Sequence, residues 1–190
     1  YGAFMATKHL VEQGHRRIAF LRPLLKNPIH RGRSLDVVED ERLKGYRIAM
    51  LDAGLAVNVR EFEHRPDAVQ EMLVQLCGRR PAPTGLVCPS DGTAALIAGE
   101  LLKLGYHIPE DVSLTGFGAT SKSFAKDQQF TTVSCDYAGM GRMGAELIVE
   151  ALEHAQVRPR REILLVQLEA HDSVAAPLAG ELAAAGAKVF

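Results

Sequence analysis

Several features that would point to a definite class of function are missing from this 190-residue chain. There is no basic excess. Its 22 Lys and Arg against 23 Asp and Glu give a formal net charge of −1, so the segment lacks an electrostatic footprint for nucleic acid of its own. No apolar run reaches the roughly 18–20 residues that span a bilayer, and Tyr1–Lys8 lacks the charged stretch ahead of an apolar core that marks a signal peptide. No membrane partner is expected. The three cysteines, Cys77, Cys88 and Cys135, are far apart, odd in number and without metal-ligand spacing. They read as small buried hydrophobes in a reducing compartment, the cytoplasm, and neither a metal nor a cofactor is expected. No G-x-S-x-G elbow, H-E-x-x-H pair or P-loop occurs. His9, His15, His107 and His171 share no spacing and read as surface or structural histidines. An enzyme is therefore not expected, and no residue is assigned a catalytic role. The chain also begins without methionine, almost at once on a helical pattern, which reads as a segment of a longer protein.

What is present is the balance of an ordinary globular domain, 47% apolar and 24% charged. Apolar spacing predicts helices at Gly2–Gln13, Glu41–Ala53, from Pro66 to about Gly78, Asp91–Leu104 and Ala138–His154. Short apolar runs predict strands at Arg17–Leu21, Val57–Phe62, Gly85–Cys88, Val112–Gly116, Thr131–Ser134 and Ile163–Leu168. Arg22–Asp40 reads as a long polar connection, Phe124–Gln129 as a loop or short helix, and Gln156–Arg161 as a turn. The Ala- and Gly-rich residues from Leu178 to Phe190 form a tail with no assigned role. Strands alternating with amphipathic helices imply an α/β fold, a three-layer α/β/α arrangement around a doubly wound, mainly parallel sheet.

In such a sheet, ligands bind beyond the carboxyl ends of the strands. The residues that follow the expected strands are Arg22–Asp40 and Arg42, then Glu63–Arg65, Pro89–Asp91, Phe117–Thr120 and Cys135–Tyr137. A guanidinium, hydroxyls, carboxylates and aromatic rings on one rim suit a small polar ligand. The residues alone leave roles open. Ser90 reads as a plain helix cap or as a ligand group at a helix N-terminus. Arg42 reads as a solvated arginine paired with Glu41 or Glu39, or as an anchor for ligand. Gly139–Gly144 reads GMGRMG and matches the dinucleotide fingerprint, but Glu162 precedes the next expected strand and Glu169 follows it, so neither acid sits compellingly for a ribose. Close packing of the glycines is the alternative.

Four stretches carry a resemblance: Ala6–Leu21 (ATKHLVEQGHRRIAFL), Glu41–Met50 (ERLKGYRIAM), Thr84–Gly116 and Thr131–Gly141 (TTVSCDYAGMG). With their G-H-R-R-I-A, R-x-x-G-Y and G-x-x-I-P-x-D-V-S-x-x-G runs in order, they resemble the lactose-repressor/galactose-repressor (LacI/GalR) family of bacterial transcription regulators. The resemblance covers nearly the whole chain up to Pro177. It implies a periplasmic-binding-protein-like (type I) sensor of two subdomains with a ligand cleft between them. Residues 1–177 would be mostly the second subdomain, with about 136–156 crossing into the first. The helix-turn-helix DNA-binding domain and most of the first subdomain would lie outside this chain. The implied ligand-binding residues are Arg42, Ser90, Asp91, Gly118, Asp136 and Tyr137. Gly118 is a departure, because the family usually carries an aspartate there that holds a sugar hydroxyl. His171 replaces a usual arginine. The helix Asp91–Leu104 and the loop near Ser121–Lys126 resemble the family's dimer surface. The implied function is effector sensing and dimerisation in a LacI-type repressor. The implied partners are a sugar or sugar derivative, operator DNA through the absent domain, and a second copy. A periplasmic sugar-binding protein and a nucleotide-dependent enzyme are the alternatives.

Overall fold

The first strand shows how the sequence builds two cores at once. Along Ile18-Ala19-Phe20-Leu21, successive side chains point to opposite faces of the sheet, and all four are apolar and buried. Ile18 and Phe20 join Leu10, Leu43, Tyr46 and Met50 on one side. Ala19 and Leu21 join Leu73, Leu86, Ile97, Leu101 and Leu114 on the other. A strand that is apolar at every position needs cover on both faces, which is the condition for a parallel sheet between helical layers.

A computed structural model of the chain describes residues 1–24, 34–78, 80–120, 123–125, 127–153 and 160–178. In chain order the elements are α1 (Gly2–Glu12), β1 (Ile18–Leu24), α2 (Ser34–Asp52), β2 (Val59–Glu63), α3 (Pro66–Cys77), β3 (Gly85–Val87) and α4 (Asp91–Lys103). Then follow β4 (Ser113–Gly118), β5 (Ser123–Ala125), β6 (Gln128–Gln129), β7 (Thr131–Cys135), α5 (Tyr137–Glu153) and β8 (Val166–Glu169). Six strands form one sheet in the order β2-β1-β3-β4-β7-β8. The first five run parallel, with Phe20 opposite both Val59 and Val87, and Thr115 opposite Thr131. Only β8 is antiparallel, with Val133 opposite Leu168. The apolar clusters place α1 and α2 on one face and α3 and α4 on the other, the expected three-layer α/β/α fold.

Three local expectations need correction. The polar connection after the first strand is shorter than Arg22–Asp40. β1 continues to Leu24 because Arg22 and Leu24 pair in register with Glu61 and Glu63, and α2 already begins at Ser34. Residues 25–33 of that connection lie outside the described residues, as do Ser121, Lys122, Lys126, residues 154–159 and the tail from 179 onward. Phe124 and Ala125, and Gln128 and Gln129, lie in strands rather than in a loop or short helix: they belong to the antiparallel pair β5–β6, and Asp127 between them turns at φ 60°. The last strand begins at Val166 rather than Ile163, and Ile163 and Leu165 are exposed.

Polar groups stitch the layers. The Tyr46 hydroxyl, fully buried, sits 2.9 Å from the Ile18 carbonyl and 3.1 Å from that of Asn58, and accepts from the Asn58 N–H at 2.9 Å. After β8 the chain passes beneath the sheet. There the Ser173 hydroxyl donates to the Leu114 carbonyl at 2.6 Å and accepts from the Thr131 N–H at 2.8 Å. His15 closes this lower end. Its Nε2 is 2.9 Å from the Ala175 carbonyl and its Nδ1 is 2.9 Å from the Thr84 hydroxyl. A carbonyl only accepts, so the proton is on Nε2 and Nδ1 accepts from Thr84. Burial pushes the His15 pKa down to about 4.

A histidine with a depressed folded pKa stabilises the fold fully above its unfolded value of about 6.5. The contribution is lost as pH falls from there towards 4. We expect stability to drop by about 2–3 kcal/mol between pH 7 and pH 4 from this residue. Urea denaturation at several pH values, compared between the native chain and His15→Gln, checks it. A variant with the same acid loss as the native chain would rule out His15 as the cause.

Candidate functional site

The topology singles out one end of the sheet. From β1 the chain moves outward to β2 and then back to β3 on the other side of β1, so the winding reverses between β1 and β3. In open α/β sheets, ligands bind beyond the carboxyl ends of the strands at such a reversal. Arg42 in α2, Ser90 and Asp91 after β3, Gly118 at the end of β4, and Asp136 and Tyr137 after β7 all lie at this end.

Asp91 organises the rim. Its side chain is fully buried. It accepts from the Thr120 N–H at 2.7 Å, just past β4, and from the Thr132 hydroxyl at 2.6 Å, in β7. One carboxylate at the start of α4 thus joins the backbone past the end of β4 to a side chain near the start of β7. Gly116 makes room for it, since a Cβ there would collide with the carboxylate. Asp91 acts on any ligand through the backbone it positions. Ser90 is engaged in the same corner: its hydroxyl accepts from the Thr93 N–H at 3.1 Å and caps α4.

Arg42 behaves differently from a solvated helix arginine. Glu41 pairs with Lys44 instead. The half-buried guanidinium lies over the Phe117 ring, 3.9 Å from its centroid, and donates from Nη1 to the Pro89 carbonyl. Burial pulls its pKa below the ordinary guanidinium value, against the through-space pull of Cys135, Tyr137, Glu39 and Asp91. The group remains a cation at any physiological pH. Thr132 is a contributor that the sequence does not single out, and Phe117 reads there only as one of the residues following a strand. Its role comes from its contact with Arg42. Thr132 reads as an ordinary strand residue.

At the far side, Gly118 holds φ at +118°, and a Cβ built on it would stand 3.2 Å from the Tyr137 hydroxyl. Side chains rarely adopt that backbone conformation, so the position suits glycine. The Tyr137 ring is half-exposed, and burial, with the nearby Cys135 thiol, raises its pKa, so the phenol stays neutral at pH 7. Cys77 and Cys88 are buried, whereas Cys135 is half-buried on this rim. Asp136 faces its own helix, accepting from the Gly139 N–H at 2.7 Å and lying 3.9 Å from Arg142. The GMGRMG segment is inside α5 rather than in a strand-to-helix turn, and Cβ atoms on Gly141 or Gly144 would meet nothing within 4 Å. A groove of about 640 Å³ opens elsewhere, along the free edge of β2, lined among others by Arg22, Arg47, Arg60 and Glu71. It contains none of the six rim residues. Among the described residues, no three His, Cys, Asp or Glu side chains are grouped to hold a metal.

This doubly wound sheet, with its rim of anchoring side chains, coincides with a known family. Residues 7–174 match the model of the periplasmic binding protein-like domain. The chain belongs to that family. The helix-turn-helix-type transcriptional regulator GalR of Escherichia coli is 35% identical over 86% of this chain and 45% of its own length. The chain thus spans about half the length of the curated relatives it matches. A LacI family transcriptional regulator from Enterococcus faecium, solved with bound ribose, superposes with a TM-score of 0.75 at 21% identity, over 92% of this chain and 62% of that one. The lac repressor dimer bound to operator and an anti-inducer gives 0.74 at 20% identity, over 92% and 58%. The LacI/GalR resemblance read from the sequence is borne out, and so is the periplasmic-binding-protein-like α/β fold.

The Asp91 bracket yields a measurable consequence. Asp91→Ala leaves the Thr120 N–H and the buried Thr132 hydroxyl without their acceptor, and we expect a loss of about 3 kcal/mol in urea denaturation. A change below about 0.5 kcal/mol, typical of surface substitutions, would show that the bracket does not hold the rim.

Proposed function

We propose that this chain is the effector-sensing and dimerisation region of a LacI-type transcriptional repressor. The observation that carries the proposal is the half-buried Arg42 fork, seated on Phe117 at the winding-reversal end of the sheet, in a member of the periplasmic binding protein-like family. A small effector binds against Arg42, with Ser90, Gly118, Asp136 and Tyr137 around it and Asp91 holding the frame. The ribose carried by the Enterococcus faecium regulator makes a sugar or sugar derivative the first ligand class to test.

The effector is held between this rim and a facing subdomain that lies outside the chain. Exposed apolar side chains on α5 and just before β8 support that division. Leu152 is 82% exposed, Ile163 77% and Leu165 85%, a surface that a second subdomain would cover. Residues 136–156 then form the crossing into that subdomain, and 1–177 the sensor region. Operator DNA is contacted by a domain outside this chain, and α4 with the β5–β6 region forms part of a homodimer surface. The protein works in the cytoplasm as a regulator without catalytic activity. No helix among the described residues is long and apolar enough to cross a membrane. No observation favours the transport-protein reading, and the GMGRMG position inside α5 disfavours a nucleotide enzyme.

Effector binding shifts the balance between two arrangements of the subdomains and hence operator affinity. In the intact regulator, a thermal-shift screen of sugars, sugar acids, sugar phosphates and nucleosides identifies the ligand. We expect Arg42→Ala to weaken that ligand's binding more than tenfold by calorimetry. Unchanged affinity would remove Arg42 from the site.

A further inference from the structure

We infer that Gly2 is a positioning residue of the effector site: by carrying no side chain, it lets the Phe117 ring lie where it holds the Arg42 fork. The inference rests on the reading of this rim as the effector site and on no particular ligand chemistry.

Three elements far apart in sequence meet at this point. Gly2 opens α1, Arg42 lies in α2 and Phe117 in the last turn of β4. α1 runs opposite to β1, so its first turn stands at the carboxyl end of the sheet. Gly2 is buried there. A Cβ built on it would stand 2.6 Å from Cε2 and 3.0 Å from Cζ of Phe117, and 2.8 Å from Cγ1 of Val133. Carbon atoms in contact sit about 3.5–4.0 Å apart, so hydrogen is the largest substituent the position accepts.

What would yield to a methyl at position 2 follows from burial. Val133 is fully buried in β7. α1 is pinned, because Ala3, Ala6 and Leu10 are buried and α2 crosses close above it. A Cβ on Gly45 would already stand 3.0 Å from the Phe4 amide nitrogen. Phe117 is only half-buried, so its ring is the group that moves.

Arg42 depends on that ring. Buried Leu43 and Tyr46 fix α2 itself, but they do not fix a long side chain beyond its Cβ. Among the described residues, two contacts hold the guanidinium: the Phe117 ring, 3.9 Å from centroid to Cζ, and the Pro89 carbonyl. Displacing the ring removes one of the two.

The test needs no ligand. In the intact regulator, phenylglyoxal labels arginines, and peptide mass spectrometry reads the rate at each. Arg17 is the internal reference, half-buried at the opposite end of the sheet with its Nε 2.6 Å from the Ala82 carbonyl. Gly2→Ala should raise the Arg42 rate at least about threefold and leave that of Arg17 unchanged. Phe117→Leu should raise it alike. Gly2→Ala added to Phe117→Leu should change nothing more, since the smaller side chain leaves room for the methyl. A rise at both arginines, no rise at Arg42, or an additive effect in the double variant would each overturn the inference. So would an unchanged Arg42 rate in Phe117→Leu, whether or not Gly2→Ala folds. If Gly2→Ala frees Arg42 but Arg42→Ala leaves effector affinity unchanged, the effector-site reading falls and takes Gly2's part in binding with it. If Arg42→Ala weakens binding but Gly2→Ala leaves the Arg42 rate unchanged, only this inference falls.

Discussion

The rim of this sheet depends on one buried carboxylate. Asp91 starts α4, yet its oxygens serve groups from two other elements, the backbone past β4 and a hydroxyl on β7. Removing a carboxylate from water is costly unless its lone pairs are filled, so the burial persists because these donors are supplied in the right places. Gly116 contributes by carrying no side chain where the carboxylate sits. The strand ends that present Phe117, Gly118 and Tyr137 are therefore fixed relative to α4 before any ligand arrives. Preorganisation of this kind lowers the ordering cost of binding.

A second set of polar contacts does the same at the opposite end. His15, Ser173 and the backbone of 173–175 join the α1–β1 turn, the start of β3 and β4, and the last crossing of the chain. One end of the sheet is thus closed by neutral, mutually satisfied groups. The other carries a half-buried cation and an exposed helix. Closed polar networks rigidify, and incompletely satisfied ones mark the places where a protein meets something else. The same asymmetry appears in the apolar surface, where α5 keeps only Gly139 buried along its length.

Much of this architecture was legible in the chain. All-apolar strands such as Ile18–Leu21 demand two covered faces, and the helices expected to end at Gln13, Ala53 and Leu104 are each followed by a glycine at positive φ, Gly14, Gly54 and Gly105. Motif order led directly to the family. Legibility failed where pairing partners are distant. β1 extends to Leu24 because Glu63, far along the chain, stands beside it, and no local pattern announces that. The β5–β6 pair is too short to give a periodic signal.

The site divides in the same way. Position at the carboxyl ends of parallel strands follows from the alternation of strands and helices, which put the stretches around Arg42, Ser90, Asp91, Gly118, Asp136 and Tyr137 on one rim, while the resemblance to the LacI/GalR family picked those six out of them. What each side chain does there depends on neighbours separated by tens of residues. Asp91 proves to be a bracket because Thr132 and Thr120 reach it, and Arg42 proves to be a fixed fork because Phe117 lies under it. Periodicity is a property of consecutive residues, and the chain states it openly. Whether a charge is paired, buried or left facing solvent is a property of contacts, and those exist only once the layers have packed.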